Sequence, residues 1–468
     1  MLLVFVGLVS SSLPGRADSG FTQSAKLVGA GAVGNASLGS FQGSSVSLSA
    51  DGKTAIVGGP RDSSYVGAAW VFTLSTNGWT QVGDKLVGAG AVRAPFDQQG
   101  YSVSLSADGK TALVGGPGDN SGAGAAWVFT LSTDGWMQVG EKLVGAGAVG
   151  AAQQGSSVSL SADGKTALVG GPTDNSAAGA AWVFTLSGNG WTQVGGKLVG
   201  AGAVGPAAQG FSVSLSADGK SAIVGGRDDN YSPGAFSAGA AWVFALSNNG
   251  WTQVGGKLIG SGAVGAAWQG YSVSLSADGK TAIVGGPNDS SGAGAAWVFA
   301  LSTNGWTQVG DKLVGAGAVN GGAQGYSVSL SADGKTALVG GPGDNSNSGA
   351  AWVFTLSPNG WTQVGDKLVG TGVLGSYQVQ GSSVSLSADG KTALVGGPGD
   401  NSGAGAAWAF IAVTPPCPPG DGWITVAGGV QCYELPPCPK ACKYGCVLDN
   451  IPPAPIKFIC KRPDGSIP

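Results

Sequence analysis

Short runs of alternating and apolar residues recur along the chain in a fixed order. The run SVSLSA alternates polar and apolar positions, which is the period of a strand with one buried face. TALVGG is almost wholly apolar, as in a strand buried on both faces, and AAWVFTLS is rich in aromatic and β-branched residues. A fourth run, WMQVGEKLVG, completes the unit. No stretch has a helical period, so the pattern predicts four antiparallel strands per unit.

Turn-forming residues separate these runs. The first two are joined by SADGK, and Asp-Gly is a strong hairpin signal because both central positions of such a turn tolerate positive φ. The unit recurs seven times at intervals of 55 to 60 residues. Seven units of four strands predict an all-β fold, a seven-bladed β-propeller of four-stranded antiparallel blades.

The strand count also indicates how the ring closes. The third strand occurs seven times, but its successor begins at a tryptophan only six times. The missing strand is found at the other end of the chain, where FTQSAKLVGAGAV from Phe21 aligns with WTQVGDKLVGAGAV. We therefore expect the N-terminal strand to complete the last blade. Thirteen of the 15 tryptophans lie in these two strands, and we interpret them as packing between blades.

Three segments are predicted: a signal peptide in residues 1–18, the propeller in residues 19–413, and a Pro- and Cys-rich tail in residues 414–468. Residues 1–9 are apolar but too few to span a bilayer, and a small-x-small site ends at Ala17. On this interpretation the protein is secreted, to an extracellular or periplasmic location. The basic segment of a signal peptide is missing, so a buried first strand is the alternative.

All six cysteines lie in the last 52 residues. A tail of this size cannot hold a fold by burial alone, and an even number of cysteines behind a signal peptide predicts disulfide bonds. Fifteen pairings are possible and stay open. Zinc is the alternative, although the C-x3-C-x3-C spacing is not the usual pair and the chain has no histidine. The predicted disulfide residues are Cys417, Cys432, Cys438, Cys442, Cys446 and Cys460.

Composition excludes several classes of function. The 88 glycines have no period of three, so the chain is not a collagen, and 43% hydrophobic residues are too many for a disordered chain. Only 10% of residues are charged and the net charge is −3, which argues against a nucleic-acid partner. Without histidine, the usual general base and the commonest metal ligand are missing. We expect no enzymatic activity, no cofactor, no metal and no transmembrane segment.

At the level of motifs, the repeat resembles FG-GAP repeats, the blades of the integrin α-chain propeller and of many bacterial secreted proteins. The resemblance covers residues 21–411 and implies a propeller that acts in adhesion or binding. Integrin-type blades often carry a calcium site between their first two strands, but SADGK offers too few oxygen ligands for calcium. We therefore predict that SADGK is only a turn. The resemblance rests on the VGGP and GAAWVF motifs and on a G-[YF]-S-V motif at Gly100 to Val103, Gly210 to Val213, Gly270 to Val273 and Gly325 to Val328.

A second aspartate follows each SADGK aspartate by eleven residues, in the loop between the second and third strands. It either caps nearby backbone N–H groups as an Asx-turn, or contributes to a ring of acidic loops that binds a cation or polar ligand. These aspartates are Asp62, Asp119, Asp174, Asp229, Asp289, Asp344 and Asp400.

Irregular sequence is concentrated on the same face. The fourth unit expands its loop to RDDNYSPGAFSAG, and the connection between the first two units reads RAPFDQQ. Arginine, aspartate and exposed aromatic residues at a break in symmetry are typical of a recognition site, although drift of surface loops after duplication gives the same pattern. The candidate ligand-binding residues are Arg227, Asp228, Asp229, Tyr231, Phe236, Arg93, Phe96 and Asp97.

Three functions fit this pattern. The favoured one is a secreted, monomeric, non-enzymatic adhesion propeller that recognises a protein or glycan through loops on one face. The second is a multivalent lectin with a similar site between each pair of blades. The third is a hydrolase or lyase, for which no acid pair is a better candidate than Asp228 and Asp229. Catalysis is disfavoured because near-identical units place the same groups at seven equivalent positions, whereas an enzyme needs one asymmetric site.

Overall fold

A computed structural model of the chain describes residues 20–34, 39–92, 96–230 and 237–413, together with four further strands within residues 421–460. The chain forms two compact units, one of Phe21–Ile411 and one of Met1–Gly20 with Ala412–Pro468. The second unit contains two antiparallel strand pairs. Their strands are Asp421–Val426 with Gly429–Glu434, and Cys446–Leu448 with Phe458–Cys460.

Two predictions concern residues about which the structure gives no information. The signal peptide lies outside the described residues, as do the side chains of the six cysteines. Secretion and the disulfide bonds therefore stay predictions.

The larger unit is a ring of seven four-stranded antiparallel blades, which confirms the predicted fold class. The innermost strands are Ser45–Leu48, Ser102–Leu105, Ser157–Leu160, Ser212–Leu215, Ser272–Leu275, Ser327–Leu330 and Ser383–Leu386. The second strands are Thr54–Gly59, Thr111–Gly116, Thr166–Gly171, Ser221–Gly226, Thr281–Gly286, Thr336–Gly341 and Thr392–Gly397. The third strands are Ala68–Ser75, Ala125–Ser132, Ala180–Ser187, Ala240–Ser247, Ala295–Ser302, Ala350–Ser357 and Ala406–Ala412. The outer strands are Gly78–Gln81, Gly135–Gln138, Gly190–Gln193, Gly250–Gln253, Gly305–Gln308, Gly360–Gln363 and Phe21–Leu27.

The last outer strand confirms the predicted closure. Phe21–Leu27 pairs with the third strand of the seventh blade, so the two ends of the repeat array meet in one sheet. Gln23 Oε1 accepts a hydrogen bond from Thr371 N–H at 2.6 Å, and Lys26 Nζ lies 2.7 Å from Asp400 Oδ2. The N-terminal strand thus makes the same kinds of contact as the outer strands of the other blades.

The hydrophobic core lies between neighbouring blades and is centred on the tryptophan of each third strand. Trp182 is fully buried, and its cluster includes Leu113 and Val128 of the preceding blade. The indole Nε1–H donates to Ala146 O at 2.9 Å in the connection from that blade. A Cβ added to Gly145 would overlap the indole ring, which explains why this position of the connection is glycine. The interpretation of these tryptophans as blade packing is therefore confirmed.

The SADGK turns link all seven blades into a hydrogen-bonded ring. Ala50 N–H donates to Ala107 O, and the same bond passes from blade to blade until Ala388 N–H donates to Ala50 O, each at 2.9 Å. Side chains add a second ring, because Leu48 N–H donates to Ser385 Oγ at 3.0 Å and the other six blades repeat this bond. The polar positions of the SVSL strands therefore join each strand to its neighbour.

The turn itself differs from the one expected for Asp-Gly. SADGK joins two antiparallel strands, which confirms the predicted hairpin turn, but only Gly52 has a positive φ, at 67°. Asp51 instead bonds within its own loop, where Oδ1 accepts from Ser49 Oγ at 2.6 Å and from Lys53 N–H at 3.0 Å. Partial burial would raise the pKa of Asp51, but these two bonds and the Lys53 charge together lower it.

Short helical turns follow the second strands on the opposite face, which we call the loop face. Their two middle residues have left-handed backbone, such as Asn175 (φ 48°, ψ 60°) and Ser176 (φ 57°, ψ 43°). They are therefore not ordinary right-handed helices, in keeping with the lack of a helical period in the sequence. These turns span Asp62–Tyr65, Asp119–Gly122, Asp174–Ala177, Asp289–Gly292, Asp344–Asn347 and Asp400–Gly403.

Candidate functional site

The loop aspartates of the seven blades are buried and paired. Asp174 is 1% exposed; its Oδ1 accepts a hydrogen bond from Val149 N–H at 2.7 Å and its Oδ2 lies 2.5 Å from Lys197 Nζ. All seven blades repeat this arrangement, with Nζ to Oδ2 distances of 2.5 to 2.7 Å. Each carboxylate therefore ties the connection arriving from the preceding blade to the outer segment of its own blade.

This geometry differs from both interpretations of the loop aspartates. The carboxylate does accept a backbone N–H, but from Val149, 25 residues away, rather than from its own turn. Its other oxygen is occupied by lysine, so a ligand would have to displace a buried ion pair. In the ranges that the structure describes, no group of three or more His, Cys, Asp or Glu residues is placed to hold a metal ion. Ligand binding by these aspartates stays a prediction.

The candidate residues of the fourth unit are separated by the structure. Asp229 is the paired aspartate of its blade, fully buried and 2.6 Å from Lys257 Nζ. Asp228 is on the surface, with Oδ2 3.6 Å from Arg227 Nε. An acid pair for hydrolysis would need two accessible carboxylates, and Asp229 does not supply one. Tyr231 and Phe236 lie outside the described residues.

The candidates in the connection between the first two blades are also placed differently. Phe96 is 50% exposed, and its ring meets that of Tyr65 edge-on at 4.8 Å between centroids. Asp97 is buried at 2% exposure, and Arg93 lies outside the described residues. The connection thus contributes an aromatic contact to the loop face of the first blade.

A cavity of about 700 Å³ opens on the loop face, and we call it the axial cavity. Side chains from all seven blades line it, which places it on the axis of the ring. Each blade contributes the residue just before its innermost strand, and this position varies between repeats. The seven residues are Ser44, Tyr101, Ser156, Phe211, Tyr271, Tyr326 and Ser382.

Aromatic rings occupy one side of the axial cavity. Phe211 and Tyr271 have ring centroids 4.9 Å apart, and Tyr271 and Tyr326 are 4.7 Å apart. Burial raises the pKa of Tyr271, and the neighbouring Tyr326 phenol raises it further. Burial also raises the pKa of Tyr101, again with a contribution from Tyr326. The phenols of Tyr101 and Tyr271 are therefore neutral at physiological pH and can both donate and accept hydrogen bonds.

Two arginines stack on aromatic rings at this face. The Arg227 guanidinium lies 4.0 Å from the centroid of Phe211 and 5.4 Å from that of Tyr271. The Arg61 guanidinium lines the axial cavity and lies 3.7 Å from the centroid of Phe41. Such stacking fixes the orientation of the guanidinium plane, and the N–H groups at its edge can still donate hydrogen bonds to other partners.

The Arg61 cluster, formed by Arg61, Phe41, Tyr65 and Phe96, occurs only in the first blade. The centroid of the Tyr65 ring lies 5.6 Å from the Arg61 guanidinium, and the Phe96 ring packs edge-on against Tyr65. No other blade has a basic residue at the position of Arg61. The equivalent residues are Gly118, Thr173, Asp228, Asn288, Gly343 and Gly399.

The sequence pattern indicated Arg227 and Phe96, which lie on the loop face but do not line the axial cavity. It did not indicate Arg61, Tyr65 or a binding role for the residues that precede the innermost strands. These residues could have been found from the variation between repeats. An alignment of the seven units shows that their positions differ in residue type, whereas the strand residues are nearly identical.

Comparison with known proteins adds no family assignment. No protein-family model matches the chain, and no curated protein is similar to it at a significant level. Within the described part of the chain, no helix has the length and apolar character needed to cross a membrane. The site is therefore interpreted from its own chemistry: the regular propeller has an asymmetric cavity on its axis, lined by aromatic, amide, hydroxyl and guanidinium groups.

Proposed function

We propose that the chain is a non-enzymatic binding propeller of the FG-GAP type, which recognises a protein or glycan ligand at the axial cavity. The observation that carries the proposal is the asymmetry of this cavity. The blades repeat their core contacts, whereas the residues around the axis differ in type from blade to blade. Ring packing does not require Phe, Tyr and Ser at equivalent positions, so these differences favour a role in recognition.

The size and lining of the cavity support a small bound group. A volume of about 700 Å³ lies within the usual range of ligand sites, roughly 300–1,000 Å³. A cavity of this size can hold a small part of a glycan or the end of a protein chain. Aromatic walls with a few polar groups are typical of such sites.

The absence of suitable proton-transfer groups supports binding over catalysis. None of the described residues that line the cavity is acidic, and the chain contains no histidine. Tyr101 and Tyr271 have raised pKa values and hold their protons near neutral pH. Secretion and adhesion belong to this proposal through the features of residues 1–18 and the resemblance to FG-GAP repeats.

The test is a screen of the full chain against glycan and peptide arrays, followed by calorimetry of each ligand found. Tyr271→Ala should weaken binding by about tenfold or more, since it removes a cavity wall. Tyr377→Ala is the matched control, because Tyr377 is 64% exposed but does not line the cavity. We expect one site per chain. Several equivalent sites would favour the multivalent lectin, and undiminished binding by Tyr271→Ala would contradict the proposal.

A further inference from the structure

Among the described residues, Arg61 has no carboxylate partner. Within the described ranges, no carboxylate lies within 4.0 Å of its guanidinium, and its side chain donates no hydrogen bond. The lysines of the loop face differ, because each is paired with the buried aspartate of its blade. Arg61 is part-buried and fixed against Phe41, so its unused N–H groups are held ready for an anion.

The carboxylates nearest Arg61 in the sequence and in its cluster are buried: Asp62 is paired with Lys85, and Asp97, next to Phe96, is 2% exposed. The described lining of the axial cavity contains no Asp or Glu. Arg227 lies near the opposite wall, against Phe211, and is only partly neutralised by Asp228 at 3.6 Å. The described lining therefore carries the positive charge of Arg61 and no carboxylate, whereas the whole chain carries a net charge of −3. A guanidinium edge matches a carboxylate best, since two parallel N–H groups meet two oxygens.

The remaining groups favour a sugar over a peptide. Gln98, Gln153 and Asn347 supply amides to the cavity, and Tyr101 and Tyr326 supply phenols. These groups both donate and accept, as sugar hydroxyls do, and flat aromatic rings pack on the C–H face of a sugar ring. A bound peptide usually needs a groove or an exposed strand edge, and the strands nearest this cavity are the innermost ones, already joined to both neighbours.

We infer that the axial cavity binds an acidic sugar, with its carboxylate on Arg61 and its ring against the tyrosines. This inference rests on the proposed function, because it assumes that the axial cavity is the ligand site. It assigns Arg61 to charge recognition and Tyr271 to the wall against which the sugar ring packs. The two roles can therefore be separated by experiment.

Calorimetry of the full chain tests this inference with two probe pairs and a peptide. The pairs are 3′-sialyllactose with lactose, and trigalacturonic acid with its methyl ester; the peptide is hexaglutamate. We expect at least one acidic sugar to bind about tenfold or more tightly than its neutral partner. Arg61→Gln should abolish this preference, and Arg61→Lys should restore only part of it because lysine lacks the guanidinium fork. Lys53→Gln, which removes an exposed cation on the opposite face, should have no effect.

Every other outcome overturns the inference. Equal affinity within both pairs, or a preference that survives Arg61→Gln, removes the charge recognition but leaves the cavity as the ligand site if Tyr271→Ala still weakens binding. Binding of hexaglutamate without either acidic sugar replaces the sugar by an acidic peptide, and no binding of any probe excludes both sugar types. If Tyr271→Ala leaves all binding intact, the proposed function fails as well. Thermal melting of each Arg61 variant verifies that it is folded.

Discussion

Replacing a loop aspartate tests whether these residues hold the scaffold together. Asp174→Ala removes a 1% exposed carboxylate that accepts from Val149 N–H and pairs with Lys197 at 2.5 Å. Breaking a buried ion pair by removing one partner costs about 3–5 kcal/mol. The Lys197 side chain is 23% exposed and can turn to water, so we expect the lower end, about 3 kcal/mol of the free energy of unfolding.

The assay is guanidinium unfolding followed by tryptophan fluorescence, with matched variants of the same blade. Asp163→Ala is the control: Asp163 is exposed and bonds only within its turn, so we expect a loss of about 1 kcal/mol. The double variant Asp174→Ala/Lys197→Met also removes the ammonium group that Asp174→Ala leaves unpaired. We expect it to be about 1–2 kcal/mol more stable than the sum of the two single losses predicts, which is the coupling energy of the two sites.

The result that would refute the reasoning is a loss in Asp174→Ala no larger than in Asp163→Ala. Calcium provides a second discrimination. If the loop aspartates bind a cation, calcium will raise the unfolding midpoint of the wild type, and by less in Asp174→Ala, which keeps six of the seven aspartates, because a ligand stabilises only the state that binds it. With the carboxylate already paired to lysine, we expect no shift in either protein.

Three further predictions concern closure, packing and the axial phenols. Deleting residues 1–27 removes the last outer strand and the Lys26 pair, and should lower Tm by roughly 10 °C in a thermal melt, while deleting 414–468 leaves Tm unchanged. Gly145→Ala should cost about 2–3 kcal/mol in denaturant unfolding because its Cβ overlaps Trp182, whereas Gly188→Ala, with open space, should be neutral; equal effects would contradict the packing argument. The Tyr271 phenol should ionise above its ordinary pKa of 10.0 in an absorbance titration against Tyr271→Phe. Because the folded pKa is raised, its contribution to stability is constant below pH 10 and is lost as pH rises towards the folded value; ionisation at or below pH 10 would refute this.

The sequence by itself determined the fold because the information is local and repeated. Period-2 alternation defines strands, Asp-Gly and Gly/Pro loops separate them, and seven repeats give the blade number. The mismatch between seven third strands and six tryptophan-led outer strands predicted that Phe21–Leu27 closes the ring. The geometry of the turn was beyond this argument, since Asp51 stays out of left-handed backbone by bonding to Ser49 and Lys53.

Only the tertiary structure decided what the polar loop residues do. Asp174 meets a lysine 23 residues away and an N–H group 25 residues away, and nothing in its own loop specifies these partners. The axial cavity is a stronger case, because its lining runs from Phe41 to Pro398 and meets only when the ring closes. In the sequence Arg61 precedes Asp62, and nothing in this pair of residues indicates a binding site. It becomes a candidate anion site because folding buries that aspartate and pairs it with Lys85, and stacks the arginine on Phe41 with no ion-pair partner among the described residues.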